Sequence, residues 1–166
     1  MAERLTTEQA AARAAEFLGG FRALVLATTG NDGTPDASYA PFVRGYDNVF
    51  YIYVSRLARH TSNLDATGQA SVLLIENEAD AEEIFARKRL TLRCAVWPID
   101  RHDARWAAVM DRFAVQFGSV IELIRPLEDF VLFALEPTVA TYVEGFAQAY
   151  RLENAELDCF FAVNDR

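Results

Sequence analysis

Residues 21–54 read FRALVLATTGNDGTPDASYAPFVRGYDNVFYIYV. Three apolar runs, rich in β-branched and aromatic residues, alternate here with two clusters of turn-forming residues, which is typical of successive strands in an antiparallel meander. The pattern predicts strands over 21–28, 36–43 and 49–54. Pro41 lies inside the second run. Because proline has no amide hydrogen, we expect it at a bulge or on a side of the strand without a partner.

Further strands are predicted on the C-terminal side of this meander. They cover 70–75, 89–97 with Pro98 as the terminator, 130–135, 139–143 and 146–152. Seven or eight short strands with few long helices favour a closed or nearly closed antiparallel barrel with helical additions, a mainly β fold of the α+β class.

Helical spacing marks the remaining segments. The sequence Thr6-Thr7-Glu8-Gln9 is a capping box that begins a helix ending at Gly19-Gly20. Helices are also predicted over 55–65 and 118–126, and a last short helix is predicted after an Asn154 cap. A further predicted helix is capped by Asp100, and its apolar positions recur at helical spacing: Trp106, Val109, Met110, Phe113 and Phe117.

Length and composition fit one globular domain. The chain has 166 residues, of which 52% are hydrophobic and 24% charged. We expect a single split-barrel domain over 1–166, with an N-terminal helix in 1–20, a barrel with inserted helices in 21–152, and a C-terminal helix or tail in 153–166. Neither a membrane-spanning run nor a signal-peptide pattern is present, so a cytoplasmic protein is expected.

Charge and cysteine content exclude several partners. The formal net charge of −8 disfavours binding to nucleic acid and to anionic membranes. Two cysteines and two histidines provide no zinc-ligand spacing, so no metal site is expected. Nucleophile-elbow, P-loop, dinucleotide-binding and zinc-protease motifs are absent. Neither His60 nor His102 lies near a strained serine turn that could complete a catalytic triad, and no catalytic residue is assigned.

Anion binding is the chemistry that remains. Arg59 and His60 stand at the start of a predicted helix, with the hydroxyls of Thr61 and Ser62 beside them. Free N–H groups and the helix dipole favour a phosphate at such a position. A solvated helix end is the alternative.

A second pair of cations lies on one predicted strand. Arg89 and Arg93 alternate with leucines, so both project from the same face of that strand. If this face lines a pocket, they offer guanidinium groups to a phosphate or a carboxylate. If it points to solvent, they only add charge to the surface.

Four ordered blocks of sequence resemble one family. They are SYAPF at 38–42, SRLARHTSNL at 55–64, FARKRLT at 85–91 and GFAQAY at 145–150. Together they resemble the haem-utilisation branch of the pyridoxamine 5'-phosphate oxidase-like split-barrel proteins, over about residues 21–150. The resemblance implies a homodimer of six-stranded split barrels, with FMN or a related ligand in two symmetric clefts between the subunits.

The resemblance also implies particular site residues. Arg59 and His60, with Thr61, match the phosphate-binding segment of flavin-binding relatives, and Arg89 matches a flavin-contacting position. Tyr53, Val54 and Ser55 would lie along the isoalloxazine edge. Three aromatic residues are expected to help bury the dimer interface: Tyr39, Phe42 and Tyr51.

The resemblance also implies that haem is a possible ligand. Haem-degrading members use a histidine in a C-terminal tail, helped by an aspartate that matches Asp129. A cap of the turn before a strand is the alternative role for Asp129. No histidine follows His102 in this sequence. The sequence therefore favours an FMN-binding flavoprotein that acts as an oxidoreductase on a small molecule. Haem binding or haem degradation in the same dimer cleft is the alternative.

Overall fold

The computed structural model describes residues 4–46, 48–153 and 157. Its elements are α1 (Thr7–Leu18), β1 (Ala23–Thr29), β2 (Pro35–Arg44), β3 (Phe50–Ser55), α2 (Arg59–Thr67), β4 (Gln69–Ile75), β5 (Arg89–Ile99), α3 (Ala104–Phe117), α4 (Ser119–Ile124), β6 (Phe130–Gly145) and β7 (Gln148–Glu153). The predicted cap at Asn154 and its helix lie outside the described residues. No helix in the described ranges is long and apolar enough to span a membrane.

The strands form a closed antiparallel barrel, as the sequence predicts. Their order is β3-β2-β1-β4-β5-β6, and pairing of β3 with β6 closes the ring of six. The seventh strand, β7, pairs with β6 outside this ring. The first three strands form the meander expected from residues 21–54.

One prediction about β6 was wrong. The segments 130–135 and 139–143 belong to a single strand of 16 residues that continues through Pro137. The register between β5 and β6 shifts at Arg93 and Cys94, and Cys94 then lies opposite Pro137. A bulge of this kind removes the need for an amide donor at the proline, so the strand is not terminated there.

Two boundaries around residue 100 were also wrong. Strand β5 does not end before Pro98 but continues to Ile99. Beyond Ala95 it pairs only with β6, so an edge is open where the proline can be tolerated. The helix that follows is capped by Asp103, whose Oδ1 accepts the Arg105 amide at 2.8 Å, while Asp100 accepts the His102 amide in the preceding turn.

Apolar side chains fill the interior of the barrel. Leu26, Phe50, Leu92 and Phe133 are fully buried there. A small barrel packed in this way leaves no internal room for a cofactor. Any ligand the size of a flavin or a porphyrin must therefore bind on the outside.

Helices cover the barrel at two further places, α1 at one of them and α3 with α4 at the other. Helix α1 begins with the predicted capping box, in which Thr6 Oγ1 accepts the Gln9 amide at 3.2 Å and Gln9 Oε1 accepts the Thr6 amide at 2.9 Å. It packs against β6 and β7. Helices α3 and α4 build a second apolar cluster on the outside of the barrel, which includes Tyr51, Tyr53, Met110, Phe113 and Leu132.

Pro41 lies where β2 separates from β3, which confirms its predicted place. It is the last β2 residue paired with β1, opposite Ala23. The β2–β3 pairing starts one residue later, at Phe42 opposite Ile52. The last part of β3, residues 53–55, therefore pairs with β6 alone, and one edge of its backbone is not part of a ladder.

Candidate functional site

The outer surface of strands β2, β1 and β4 carries small and apolar side chains. The register places Ala37 opposite Ala27, and Ala27 opposite Ser71. In the neighbouring row Val25 lies opposite both Tyr39 and Leu73. We call these six residues the outer sheet face. Val25 is 41% exposed and Tyr39 is 68% exposed, although both are apolar or aromatic.

A groove of about 990 Å³ crosses one end of this face. Small side chains of the outer sheet face form part of its lining, together with Asp36 and Arg93. Such a groove can accept a flat apolar ligand, because alanine and serine leave space above the sheet. It also offers that ligand one guanidinium group.

The two arginines of β5 occupy different places. Both project outward from the barrel, as their spacing predicts. Arg93 is exposed and lines the groove. Arg89 is half-buried at the start of β5, and its Nη1 donates to the Arg87 carbonyl at 3.0 Å. Of the two, Arg93 is the one that faces the groove.

Three buried polar side chains attach α2 to the end of the barrel. His60 Nδ1 lies 2.9 Å from Ser38 Oγ. Thr61 Oγ1 donates to the Ser55 carbonyl at 2.6 Å, and Asn63 Nδ2 donates to a β1 hydroxyl, Thr28 Oγ1, at 3.0 Å. The sequence analysis did not single out Asn63. Its role depends on Thr28, which is 35 residues away and which only the packing of α2 on β1 brings close.

These contacts limit what the start of α2 can offer a phosphate. Burial lowers the pKa of His60 below its usual value of 6.5, and the nearby Asp36 carboxylate opposes this shift. His60 is therefore neutral at pH 7. The Thr61 hydroxyl already donates its hydrogen bond to the Ser55 carbonyl, and Ser62 Oγ donates to the Arg59 carbonyl at 2.9 Å. Of these side chains, only the exposed one of Arg59 offers donors to an anion.

The buried ring of His60 leads to a first prediction. In the described part of the chain its Nε2 is buried without a hydrogen-bond partner, so protonation inside the fold is unfavourable. As the pH falls below about 6.5, the unfolded state takes up a proton at this residue and the folded state resists it. The free energy of unfolding should therefore fall with pH in this range.

Urea unfolding between pH 8 and pH 5.5 measures this effect. The variant His60→Gln keeps a polar group near Ser38 but cannot titrate, so its stability should depend less on pH than that of the wild type. Equal slopes for the two proteins would show that His60 does not control stability in this range.

The predicted flavin-edge residues are only partly accessible. The Tyr53 side chain is buried in the cluster formed with α3, and Val54 is buried in the barrel core. Both could meet a ligand only through the backbone. Ser55 is half-buried and is the one residue of the three whose side chain is partly accessible.

The structure brings Ser55 and Asp129 together across 74 residues of sequence. Ser55 Oγ donates to Asp129 Oδ2 at 3.1 Å, and the Arg56 amide donates to the Asp129 carbonyl at 2.6 Å. The pairing of Ser55 with Phe130 at the end of β3 and β6 is the cause. Among the described residues Asp129 Oδ1 accepts no hydrogen bond, so this exposed oxygen is available to a ligand. Sequence spacing alone does not indicate this pair.

Arg89 lies far from this pair in one protomer. It is paired with Val143, near the last residue of the long strand β6, whereas Ser55 is paired with Phe130, the first residue of that strand. A single copy of the chain therefore does not bring Arg89 to the Ser55–Asp129 pair. Within the described ranges no group of three or more histidine, cysteine or acidic side chains could hold a metal ion.

Comparisons with known proteins agree with this architecture. The family model for pyridoxamine 5'-phosphate oxidase matches residues 10–144. The heme oxygenase HutZ of Vibrio cholerae is 37% identical over 142 residues, which are 86% of this chain and 80% of HutZ. A crystal structure of HutZ, there described as a heme storage protein, gives a TM-score of 0.71 and covers 75% of this chain and 87% of the other. The crystal structure of Campylobacter jejuni ChuZ gives a TM-score of 0.82 at 32% identity, with 93% of this chain and 63% of the other covered.

Proposed function

This chain belongs to the pyridoxamine 5'-phosphate oxidase family, in its haem-utilisation branch, and we propose that it binds haem in a cleft between two copies of itself. The observation that carries this proposal is the outer sheet face, an exposed and mostly apolar surface on a barrel whose interior is filled. The similarity to HutZ supports haem as the ligand. Haem degradation is the reaction class that this similarity favours.

The residues present fit a porphyrin. Haem combines a planar apolar macrocycle with two propionate carboxylates. Small and aromatic side chains of the outer sheet face would contact the macrocycle, and Arg93 with Arg89 would bind the carboxylates, for which a guanidinium group has a matching geometry. Ser55 and Asp129 would hold a polar edge of the site. When bound, haem would supply the iron chemistry that these side chains lack.

A second copy of the chain completes this site. The outer sheet face is open to solvent on one side, and Arg89 lies at the other end of β6 from the Ser55–Asp129 pair. In a two-fold dimer each copy can supply the part that the other lacks. Of the three aromatic residues expected at the interface, Phe42 and Tyr51 are already buried within the protomer. That prediction was wrong for both, and Tyr39 alone is exposed enough to contribute.

FMN is the second candidate, favoured by the exposed Arg59 at the start of α2. The FMN phosphate would need several donors there, and His60 and Thr61 are committed to contacts inside the protein. For this reason we place haem first.

Arg59→Ala should leave haem affinity within about twofold of the wild type. It should weaken any FMN binding by about tenfold to a hundredfold and change riboflavin binding little. Equal loss for FMN and riboflavin would contradict a phosphate contact.

Removal of the two β5 arginines tests the proposed carboxylate contacts. A charge-assisted hydrogen bond contributes about 1.5 to 3 kcal/mol, so Arg93→Ala and Arg89→Ala should each weaken haem binding by about tenfold to a hundredfold. Titration with haemin, followed by absorption in the Soret region, measures the affinity. Arg105→Ala is the matched control, because that guanidinium pairs with Asp103, the N-cap of α3, and lies outside the proposed site. If Arg105→Ala loses as much haem affinity as the β5 variants, the loss comes from the change in net charge and not from a contact with the carboxylates.

A further inference from the structure

Arg101 holds the segment that leads from α4 to Asp129. Its Nη1 donates to the Arg125 carbonyl at 2.8 Å, and its Nη2 donates to the Leu127 carbonyl. The same Nη2 donates to the Tyr53 hydroxyl at 3.0 Å. One side chain thus connects the β5–α3 turn, the buried end of β3 and the segment 125–129.

The contacts have a clear physical basis. The Arg125 carbonyl, at the C-cap of α4, lacks a partner within that helix, and the Leu127 carbonyl lies in the turn that follows; one guanidinium group can satisfy both at once. The Arg101 guanidinium also lies over the Trp106 ring, 5.1 Å from its centroid, which restricts its orientation. Tyr53 extends the network, because its hydroxyl lies 3.3 Å from the Ile124 carbonyl and 3.2 Å from the Arg125 carbonyl. Burial raises the pKa of Tyr53 above its usual value of 10.0, so the hydroxyl keeps its proton.

Segment 125–129 is held at both ends, and the contacts at the two ends are different. At its far end, Asp129 contacts the Arg56 amide and the Ser55 hydroxyl. At its near end, Arg101 and Tyr53 hold the carbonyls of residues 124, 125 and 127. Without Arg101, the near end of the segment could move while the Asp129 carbonyl stayed bonded to the Arg56 amide. The Asp129 carboxylate would then lose its fixed direction.

We propose that Arg101 is a positioning residue for the haem site, since it fixes segment 125–129 so that the Asp129 carboxylate stays on Ser55 with Oδ1 directed to the ligand. This inference rests on the proposed function for the role of Asp129. Nothing in the sequence around Arg101 indicates it, because the partners of its guanidinium are backbone carbonyls from a different part of the chain.

A double-mutant cycle on the full chain tests the inference, with haemin as the probe. Asp129→Asn should weaken haemin binding about tenfold, and Arg101→Ala should weaken it by a similar factor and shift the Soret band in the same direction. The double variant should bind no more weakly than Asp129→Asn alone, because both changes act through one carboxylate. Tyr53→Phe removes the hydroxyl contacts to Arg101 and to the carbonyls of residues 124 and 125, but it leaves the Arg101 contacts to the backbone in place. It should therefore give a smaller effect, and it replaces Arg101→Ala in the test if that variant does not fold. Arg105→Ala controls for loss of a neighbouring arginine.

The outcomes separate the inference from the proposed function. If Asp129→Asn weakens binding while Arg101→Ala and Tyr53→Phe do not, the positioning role is overturned and haem binding stands. Losses that multiply in the double variant overturn it as well, because they show independent effects. If the wild type does not bind haemin at all, the proposed function fails and the inference fails with it.

Discussion

Replacement of Val25 by glutamate is expected to convert the proposed dimer into a monomer and to remove most of the proposed haem binding. Val25 lies in the middle of the outer sheet face, between Tyr39 and Leu73. In a two-fold dimer the substitution places two carboxylates in the same interface, and like charges that meet there cost several kcal/mol. The dissociation constant of the dimer should rise by about a hundredfold or more. Light scattering over a range of protein concentrations measures it.

Val115→Glu is the matched control for this experiment. Val115 is 89% exposed on α3 and is not one of the six residues of the outer sheet face. The same change in charge at that position should leave the dimer and the haem affinity unaltered. A wild-type protein that remains monomeric at high concentration, or a Val25→Glu variant that remains dimeric, would show that this face is not the interface.

Replacement of Phe50 by alanine should have the largest effect on stability. The Phe50 ring is fully buried between barrel side chains, and its centroid lies 5.4 Å from that of Phe42. Truncation of a buried phenylalanine costs about 3 to 5 kcal/mol, through lost transfer free energy and the cavity left behind. Urea unfolding at a fixed protein concentration should show this loss as a lower midpoint.

An exposed phenylalanine provides the comparison. Phe146 is 80% exposed in the turn between β6 and β7, so Phe146→Ala should change the free energy of unfolding by less than about 0.5 kcal/mol. A similar small loss at Phe50 would mean that the barrel interior is not packed as described.

Local patterns predicted most of the elements of the fold. Alternation and turn residues located β1 to β4 within two or three residues, and the capping box at Thr6 located α1. The predicted strand ends at Pro98 and Pro137 were wrong, because both residues lie within strands although proline usually ends one. Whether a proline is tolerated depends on the partner strand, here the bulge at Arg93–Cys94 and the end of the β4 pairing at Ala95. Neither feature is visible in a single stretch of sequence.

The candidate site was less predictable than the fold. The basic pair Arg59 and His60 was recognised, but the rotation of α2 on the barrel turns one side chain to solvent and the other to Ser38. The contact between Ser55 and Asp129 needs the β3–β6 pairing that closes the barrel. From the sequence, FMN was predicted as the ligand in preference to haem, because no histidine follows His102. The similarity to HutZ supports the haem interpretation better.

Parallel titrations of the purified protein with haemin and with FMN test the proposed haem function most directly. Absorption in the Soret region reports bound haem, and flavin fluorescence reports bound FMN. We expect haemin to saturate at one molecule per protomer, as two symmetric clefts in the proposed dimer require, while FMN at the same concentrations is not taken up. Stoichiometric FMN binding with no Soret band of bound haem would contradict it.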